Sequence, residues 1–304
     1  MPELRTASRS PSPVGTLLQQ WRRARQMSQL DLATEAGVSA RHLCFVETGR
    51  AKPSREMVLH LASTLDIPLR ERNALLLAAG FAPIYREANL DAPEIAPVRS
   101  ALDAILRQQE PFPAVVMNRS WDILTTNTAA SRFFGFLLGA TAAAEPANVI
   151  RLMFNPQGLR PFVTNWESAA EALLRRVYRE AVGGVPDEKT VALLSEILAY
   201  PDVPAQWQKP SMESPLLPVI PISFMKEGTT FNFFSAVTTL GTPQDITLQE
   251  VRIESFFPLD AMTRRNAEEL AAGGEDSSDA ATPPAAAASL APVEDLSGRR
   301  NDLH

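Results

Sequence analysis

The chain has 304 residues and a formal net charge of −6, which leaves room for two domains of ordinary size and excludes a protein that attracts nucleic acid over its whole surface. The charge is divided unevenly: residues 1–86 carry twelve Lys and Arg against seven Asp and Glu, so a basic head precedes an acidic body. Cys44 is the only cysteine and excludes an intramolecular disulfide. The uncharged run at 133–144, twelve residues long, is too short for a bilayer. The first thirteen residues have no apolar core of the secretory kind, so a cytoplasmic protein is expected.

Taken in chain order, residues 1–13 hold Pro2, Pro11, Pro13 and several Ser, and are expected to form a flexible leader. A first helix is predicted from Val14, with Val14, Leu17, Leu18 and Trp21 on one apolar face and Arg22, Arg23 and Arg25 elsewhere. Ser28, with Asp31 three residues on, has the residue types of a capping box for a second helix, which Gly37 ends. Ser39 caps a third helix that turns Leu43 and Val46 inward. A fourth follows Pro53, with Val58, Leu61, Ala62 and Leu65 inward, and a fifth runs from Pro68 to Ala79 and stops at Gly80. Five short helices over 14–85 make one all-α domain. Residues 86–97, with Pro93 and Pro97, read as a linker.

A second domain is predicted over 98–262. Val98, Leu102, Ile105 and Leu106 mark an amphipathic helix that Pro111 and Pro113 break. A buried strand at 114–117, a turn at 118–120 and a returning strand at 121–125 follow, and Asn127 opens another helix. Helical patterns occupy roughly 165–182 and 187–199. The period then changes, and 219–225, 230–239 and 246–257 favour strands. The result is an α+β domain. From 266 to 304 the composition of Gly, Ser, Pro, Ala and acidic residues predicts a disordered acidic tail.

Two helices joined by a four-residue glycine turn have the layout by which a second helix is set into the DNA major groove. Arg22, Ser28-Gln29, Leu32-Ala33, Gly37-Val38-Ser39, Glu47, Gly49 and Pro53-Ser54 stand in register with the xenobiotic-response-element (Xre) family of repressor-like helix-turn-helix proteins, which the segment resembles. The resemblance implies a lambda-repressor-like fold, double-stranded operator DNA as partner, and a structural ion pair of Glu47 with Arg22. Ser39, Ala40, Arg41, His42 and Phe45 lie opposite Leu43 and Val46 and are expected to face the groove. Arg41 suits a bidentate contact to guanine, and Ala40 and Phe45 suit thymine methyls. Arg50, Lys52 and Ser54 are placed for phosphates, and Gln29 either for a phosphate or for bracing the third helix.

Strand, tight turn, strand carrying Trp121, then Asn127 and small residues entering a helix resemble the opening of a PAS-like module. Together with Arg41-His42-Leu43 through Glu47-Thr48-Gly49, Pro53-Ser54-Arg55-Glu56-Met57 and Leu69-Arg70-Glu71-Arg72-Asn73, the second domain resembles that of the MmyB-like transcription regulators. The resemblance implies a domain that binds a fatty-acyl or similar apolar molecule non-covalently. His42, His60, His304 and Cys44 all lie outside this domain, so His- or Cys-ligated haem, a Cys/His zinc site and Ser-His or Cys-His catalysis are not expected in it. No catalytic residue, metal site or tightly held cofactor is expected. Val116, Trp121, Asn127, Phe133, Trp166, Phe224, Phe231 and Phe233 are the candidates for lining a pocket, with Asn127 or Arg176 as the polar group that orients the ligand. Two functions are open on these grounds. One is a homodimeric transcription regulator whose second domain senses a small apolar effector. The other is a DNA-binding protein whose second domain is a ligand-free docking module for another protein.

Overall fold

The computed structural model describes residues 12–139, 147–182, 188–201, 203–208, 219–241 and 243–273. Most of the expected leader and the expected tail from 274 onward lie outside the described residues. Ser12, however, is the N-cap of the first helix and Pro13 its first residue, so the leader ends two residues earlier than expected.

Five helices build the N-terminal domain: α1 (Pro13–Ala24), α2 (Gln29–Glu35), α3 (Ala40–Glu47), α4 (Arg55–Thr64) and α5 (Leu69–Ala78). Four of their N-termini carry a serine cap, from Ser12, Ser28, Ser39 and Ser54, each accepting a backbone N–H of the first turn. Leu18, Leu32, Leu43, Val46, Val58 and Leu61 fill the shared core with almost no exposure.

The segment 86–97 is no free tether. Ile246 N–H donates to the Arg86 carbonyl (2.8 Å), Ala88 N–H to Asp245 Oδ2 (3.0 Å), and Thr247 Oγ1 to the Ala88 carbonyl (2.7 Å). Pro93–Ile95 forms a 3-10 turn that runs directly into α6 (Ala96–Gln108). Backbone groups that composition marks as solvated are satisfied by a segment more than 150 residues away, which no local pattern announces.

The second domain is built on one antiparallel sheet of order β2-β1-β5-β4-β3. Its strands are β1 (Ala114–Met117), β2 (Ile123–Thr126), β3 (Ile220–Lys226), β4 (Thr229–Thr239) and β5 (Arg252–Pro258). Between them run α7 (Thr128–Leu138), α8 (Val149–Phe154), α9 (Trp166–Val182), α10 (Glu188–Leu198) and α11 (Ile246–Glu250), and α12 (Ala261–Ala272) follows. The sheet separates two cores. Ala114, Val116 and Ile253 pack with Leu102 and Leu106 of α6 on one face. Phe224, Phe231, Phe233 and Phe256 pack with Phe133, Phe154, Leu173 and Leu174 on the other. The α+β architecture expected of this domain is present.

Three boundaries differ from the expectation. The strand predicted at 246–257 starts only at Arg252, because the Asp245 side chain accepts from Leu248 N–H and winds the preceding Ile-Thr-Leu into α11. The returning strand starts at Ile123 rather than Trp121. Asn118 Oδ1 accepts from Ser120 N–H and Asp122 N–H, and Trp121 takes a left-handed φ of 68° to complete that turn. Finally, residues 266–272 of the expected tail belong to α12, which Asp260 caps and whose Thr263 and Ala267 are buried.

Candidate nucleic-acid interface and ligand cavity

The helix-turn-helix is assembled by local bonds. Asp31 N–H donates to Ser28 Oγ (3.1 Å) and Ser28 N–H to Asp31 Oδ2 (2.8 Å), completing the capping box. These bonds hold the Asp31 carboxyl below its ordinary pKa. Gly37 at φ 61° ends α2, and Val38 N–H returns to the Ala33 carbonyl (2.9 Å). Ser39 Oγ then accepts from His42 N–H (3.1 Å) to start α3.

Beneath α3 lies a buried polar knot. Arg22 Nε and Nη2 donate to the two carboxylate oxygens of Glu47 at 2.7 and 2.9 Å, and Gln29 Nε2 donates to Oε2 at 2.7 Å. Arg22 Nη1 also reaches the Met27 carbonyl (2.8 Å). The bidentate hydrogen bonds raise the Arg22 pKa. The implied ion pair is thus present. Gln29 takes the bracing position of its two alternatives, one N–H of its amide bonded to Glu47.

On the outer side of α3, Arg41 is exposed and His42 and Phe45 are half-buried, whereas Ala40, expected there, stands one turn before Leu43 and packs against the domain core. The Arg41 and Arg50 guanidinium carbons stand 5.4 and 5.9 Å from the Phe45 ring centroid. This ring holds two long cations over the same surface, an organising role that its expected contact with a thymine methyl does not include. Lys52 and Ser54 are exposed in the following loop, where Ser54 Oγ accepts from Met57 N–H to cap α4.

In the second domain four of the candidate pocket residues converge, with the Phe133 ring 5.1, 5.2 and 5.7 Å from those of Phe224, Phe231 and Phe233, and the other four lie apart from them. Val116 lies on the α6 face of the sheet, away from the aromatic residues, because β1 alternates its side chains between the two cores. Asn127 is not free to orient a ligand: Oδ1 accepts from Ala114 N–H and Ala130 N–H (both 2.9 Å), and Nδ2 donates to the Phe112 carbonyl (2.8 Å). Phe133 packs edge-to-face on Phe231 and Phe233, which stack on each other, and the three rings line a small cleft with Pro111, Pro113 and Leu270. Trp166 stacks with Trp207 and Arg160 and donates Nε1 to the Met153 carbonyl. Trp121 is fully buried with the guanidiniums of Arg176 and Arg252 5.2 and 5.3 Å from its ring centroid.

Phe224 alone of the eight lines the enclosed apolar crevice between the sheet and α7, α8 and α9. Its other walls include Val115, Phe134, Met153, Leu173 and Phe256. About 20 Å³ of this space admits the centre of a water molecule, room for about one water. Its single polar lining residue is Glu254, 2% exposed, with Oε2 lacking a hydrogen-bond partner. Desolvation raises the Glu254 pKa; Ser235, which hydrogen-bonds the carboxyl, and the charges of Arg176 and Arg252 oppose the rise. Sequence reasoning missed Glu254, although an acid in phase with Phe256 on the core face of a strand is a readable signal.

The two domains are joined by charge pairs. Arg70 of α5 donates Nε and Nη2 to Glu250 (2.7 and 2.9 Å) and Nη1 to Glu87 (2.9 Å). Arg119 Nη1 reaches Glu71 (2.9 Å) and Glu250 (3.1 Å). These partners raise the Arg70 pKa and hold that of Glu87 down. Pro68 precedes α5 without a side-chain cap, and Gln249 of the second domain supplies one, its Oε1 accepting from Leu69 N–H (2.7 Å).

Comparison with known proteins follows these two halves. Residues 13–75 match the family described as a helix-turn-helix domain, and residues 98–270 match the MmyB-like transcription regulator ligand binding domain. Among curated proteins none matches the chain. A solved structure of an RNA-binding light-oxygen-voltage receptor is similar at 12% identity over 88% of this chain, with a TM-score of 0.25, which supports no conclusion about fold or function. This chain spans 64% of that one. With more than half of its length in the ligand-binding match, the protein belongs to the MmyB-like transcription regulators, its helix-turn-helix DNA-binding domain joined to an MmyB-like ligand-binding domain.

Proposed function

We propose that the protein is a cytoplasmic, homodimeric regulator that reads operator DNA with α3 and changes its DNA binding when a small apolar molecule enters the crevice of the second domain. The observation that carries the DNA half is the outer side of α3, where Arg41 and Arg50 project around Phe45 above a rigid Arg22–Glu47–Gln29 base. Arg41 takes the base contact, with Ser39, His42 and Phe45 beside it, while Arg50, Lys52 and Ser54 meet phosphates. One module of this size reads few base pairs, so two copies on half-sites about 34 Å apart supply the specificity.

For the sensing half, the apolar walls of the crevice favour a small apolar molecule, and the match to a ligand-binding domain supports an effector there. Strand β5 carries Glu254 at the crevice and follows directly on Glu250 at the bridge to α5, a short path from ligand to DNA head. A ligand acts through it only by favouring one arrangement of the two heads over another.

The test is titration of the full-length protein and of Arg41→Ala against its own promoter and scrambled DNA at two salt concentrations. The variant is expected to lose about 1–3 kcal/mol of discrimination while retaining salt-dependent nonspecific binding. Equal affinity of the wild type for both DNAs would overturn the reading.

A further inference from the structure

Strands β3, β4 and β5 are fully covered on one face only. Side chains directed at the helices, among them Ile222, Phe224, Phe233 and Phe256, are buried, whereas the alternate positions in 221–225, 230–238 and 255–257 are half-buried or exposed. Helix α6 packs on that second face only at its far end, against Ala114, Val116 and Ile253. Beyond it the strand pairing sets Pro221, Phe234 and Phe257 in one row, with Ala236 to one side and Met225 to the other. Leu259 extends the ladder past β5 by donating its N–H to the Asn232 carbonyl (2.8 Å). The Phe234 and Phe257 rings stack at 5.2 Å and 20°, and they belong to none of the apolar cores among the described residues. Met225 is 50% and Leu259 52% exposed.

The charge pattern of this face suits a second copy of itself. In a two-fold contact each patch lies against its own duplicate, so a charge near the axis meets its like, which opposes binding. The other outward positions, Ser223, Thr230, Asn232, Thr238 and Ser255, are polar and uncharged, so the whole patch lacks charge in a chain of which 21% is charged. Charge begins at the rim, where Asn232 Nδ2 holds Asp260 (2.9 Å) and Glu227 stands in the turn from β3 to β4. The acidic segment 274–304 of the same chain, like any charged peptide, finds no countercharge on it. At about 3.3 Å per residue and about 4.8 Å per strand, this part of the sheet has a flat footprint on the order of 400 Å². A standard interface covers about 800 Å² per partner, so the contact is a reversible one.

We infer that two copies of this chain meet on the outer face of β3, β4 and β5, sheet against sheet, with the stacked Phe234 and Phe257 of each copy nearest the two-fold axis. This rests on the reading of the protein as a homodimeric regulator and assigns the surface that makes it one. Helix α3 belongs to the other domain and stays free for a half-site in each copy. The crevice borders Ile222, Phe224 and Phe256 on the opposite side of the same strands, so effector and second copy are one sheet apart.

Sedimentation velocity of the full-length protein over micromolar concentrations tests the inference, with Phe234→Glu, Phe234→Lys and an equimolar mixture of the two. The wild type is expected to show a concentration-dependent dimer. Each variant alone is expected to dimerise at least tenfold more weakly, because like charges then meet across the axis. The mixture is expected to regain the dimer, which a misfolded variant would not do, and circular dichroism checks the fold of each. Variants that dimerise like the wild type would overturn the inference, leave the face to another protein or to a segment of the same chain, and keep the homodimer reading. Variants that dissociate and do not recover in the mixture would also overturn it. A wild type that stays monomeric throughout would overturn both.

Discussion

Two buried acids in this protein show how the same side chain is handled in opposite ways. Glu47 is fully covered yet surrounded by donors from Arg22 and Gln29, and so ties three helices together. Removing one partner of such a pair leaves an uncompensated charge and costs about 3–5 kcal/mol. Glu254 lacks that enclosure. Ser235 on β4 hydrogen-bonds its carboxyl, Arg176 on α9 and Arg252 on β5 are the charges that act on it, and desolvation outweighs them to raise its pKa. A folded-state pKa above the unfolded one favours the folded chain below the unfolded value near 4.5, and that advantage is lost as pH rises through the folded value. Glu254→Gln removes the titration. The variant is therefore expected to gain on the wild type in urea unfolding as pH is raised from 4.5 toward neutrality, and a stability difference independent of pH would contradict the assignment.

Among the elements, the crossing of α1 over α3 decides how the recognition helix is presented. Gly15 lies where the helices touch: a Cβ there would stand 2.6 Å from the Val46 carbonyl oxygen and closer still to that of Glu47. Both obstacles are backbone and cannot rotate aside. Replacing a helical glycine by alanine ordinarily gains about 1 kcal/mol. Here the overlap reverses the sign, and Gly15→Ala is expected to lose about 2 kcal/mol net in urea unfolding of the full chain. A variant as stable as the wild type would show that the crossing has slack. The existence and order of α1 to α4 were legible because each has its own serine cap and apolar residues at helical spacing, and α5 was legible from Pro68 before it and Gly80 after it. Helix α11 was not, since Ile-Thr-Leu favours a strand and only the Asp245 cap, together with the pairing of its start to Arg86, selects a helix.

For the molecule as a whole, the bridge of Arg70, Glu87, Glu250, Arg119 and Glu71 joins the DNA head to the sheet domain. Isolated exposed pairs contribute little, but Glu250 accepts from both arginines and is mostly covered, and Gln249 beside it caps α5. Glu250→Ala is expected to leave both domains folded by circular dichroism and to speed tryptic cleavage in the 86–99 segment several-fold, since Arg70, which holds Glu87 of that segment, is then fixed by fewer bonds. An unchanged cleavage rate would show that the apolar and backbone contacts suffice. No helix among the described residues is long and apolar enough to cross a membrane.

The helix-turn-helix was readable in the chain itself because its chemistry is local: Ser28 with Asp31, Gly37 and Ser39 each act within four residues of where they stand. Even the Glu47–Arg22 pair, 25 residues apart, came through because family resemblance carried it. The second domain behaved differently. Its strands and α+β class followed from composition and period, but the pocket did not, since aromatic content identifies core without saying which face of a sheet each ring joins. Val116 and Asn127 went to packing and capping, Phe133 and Phe231 to an aromatic core, and the orphan oxygen of Glu254 emerged only once β5 was placed between β1 and β4. Local hydrogen bonds are set by neighbours in the chain, whereas burial and desolvation are set by residues that only the folded topology brings together.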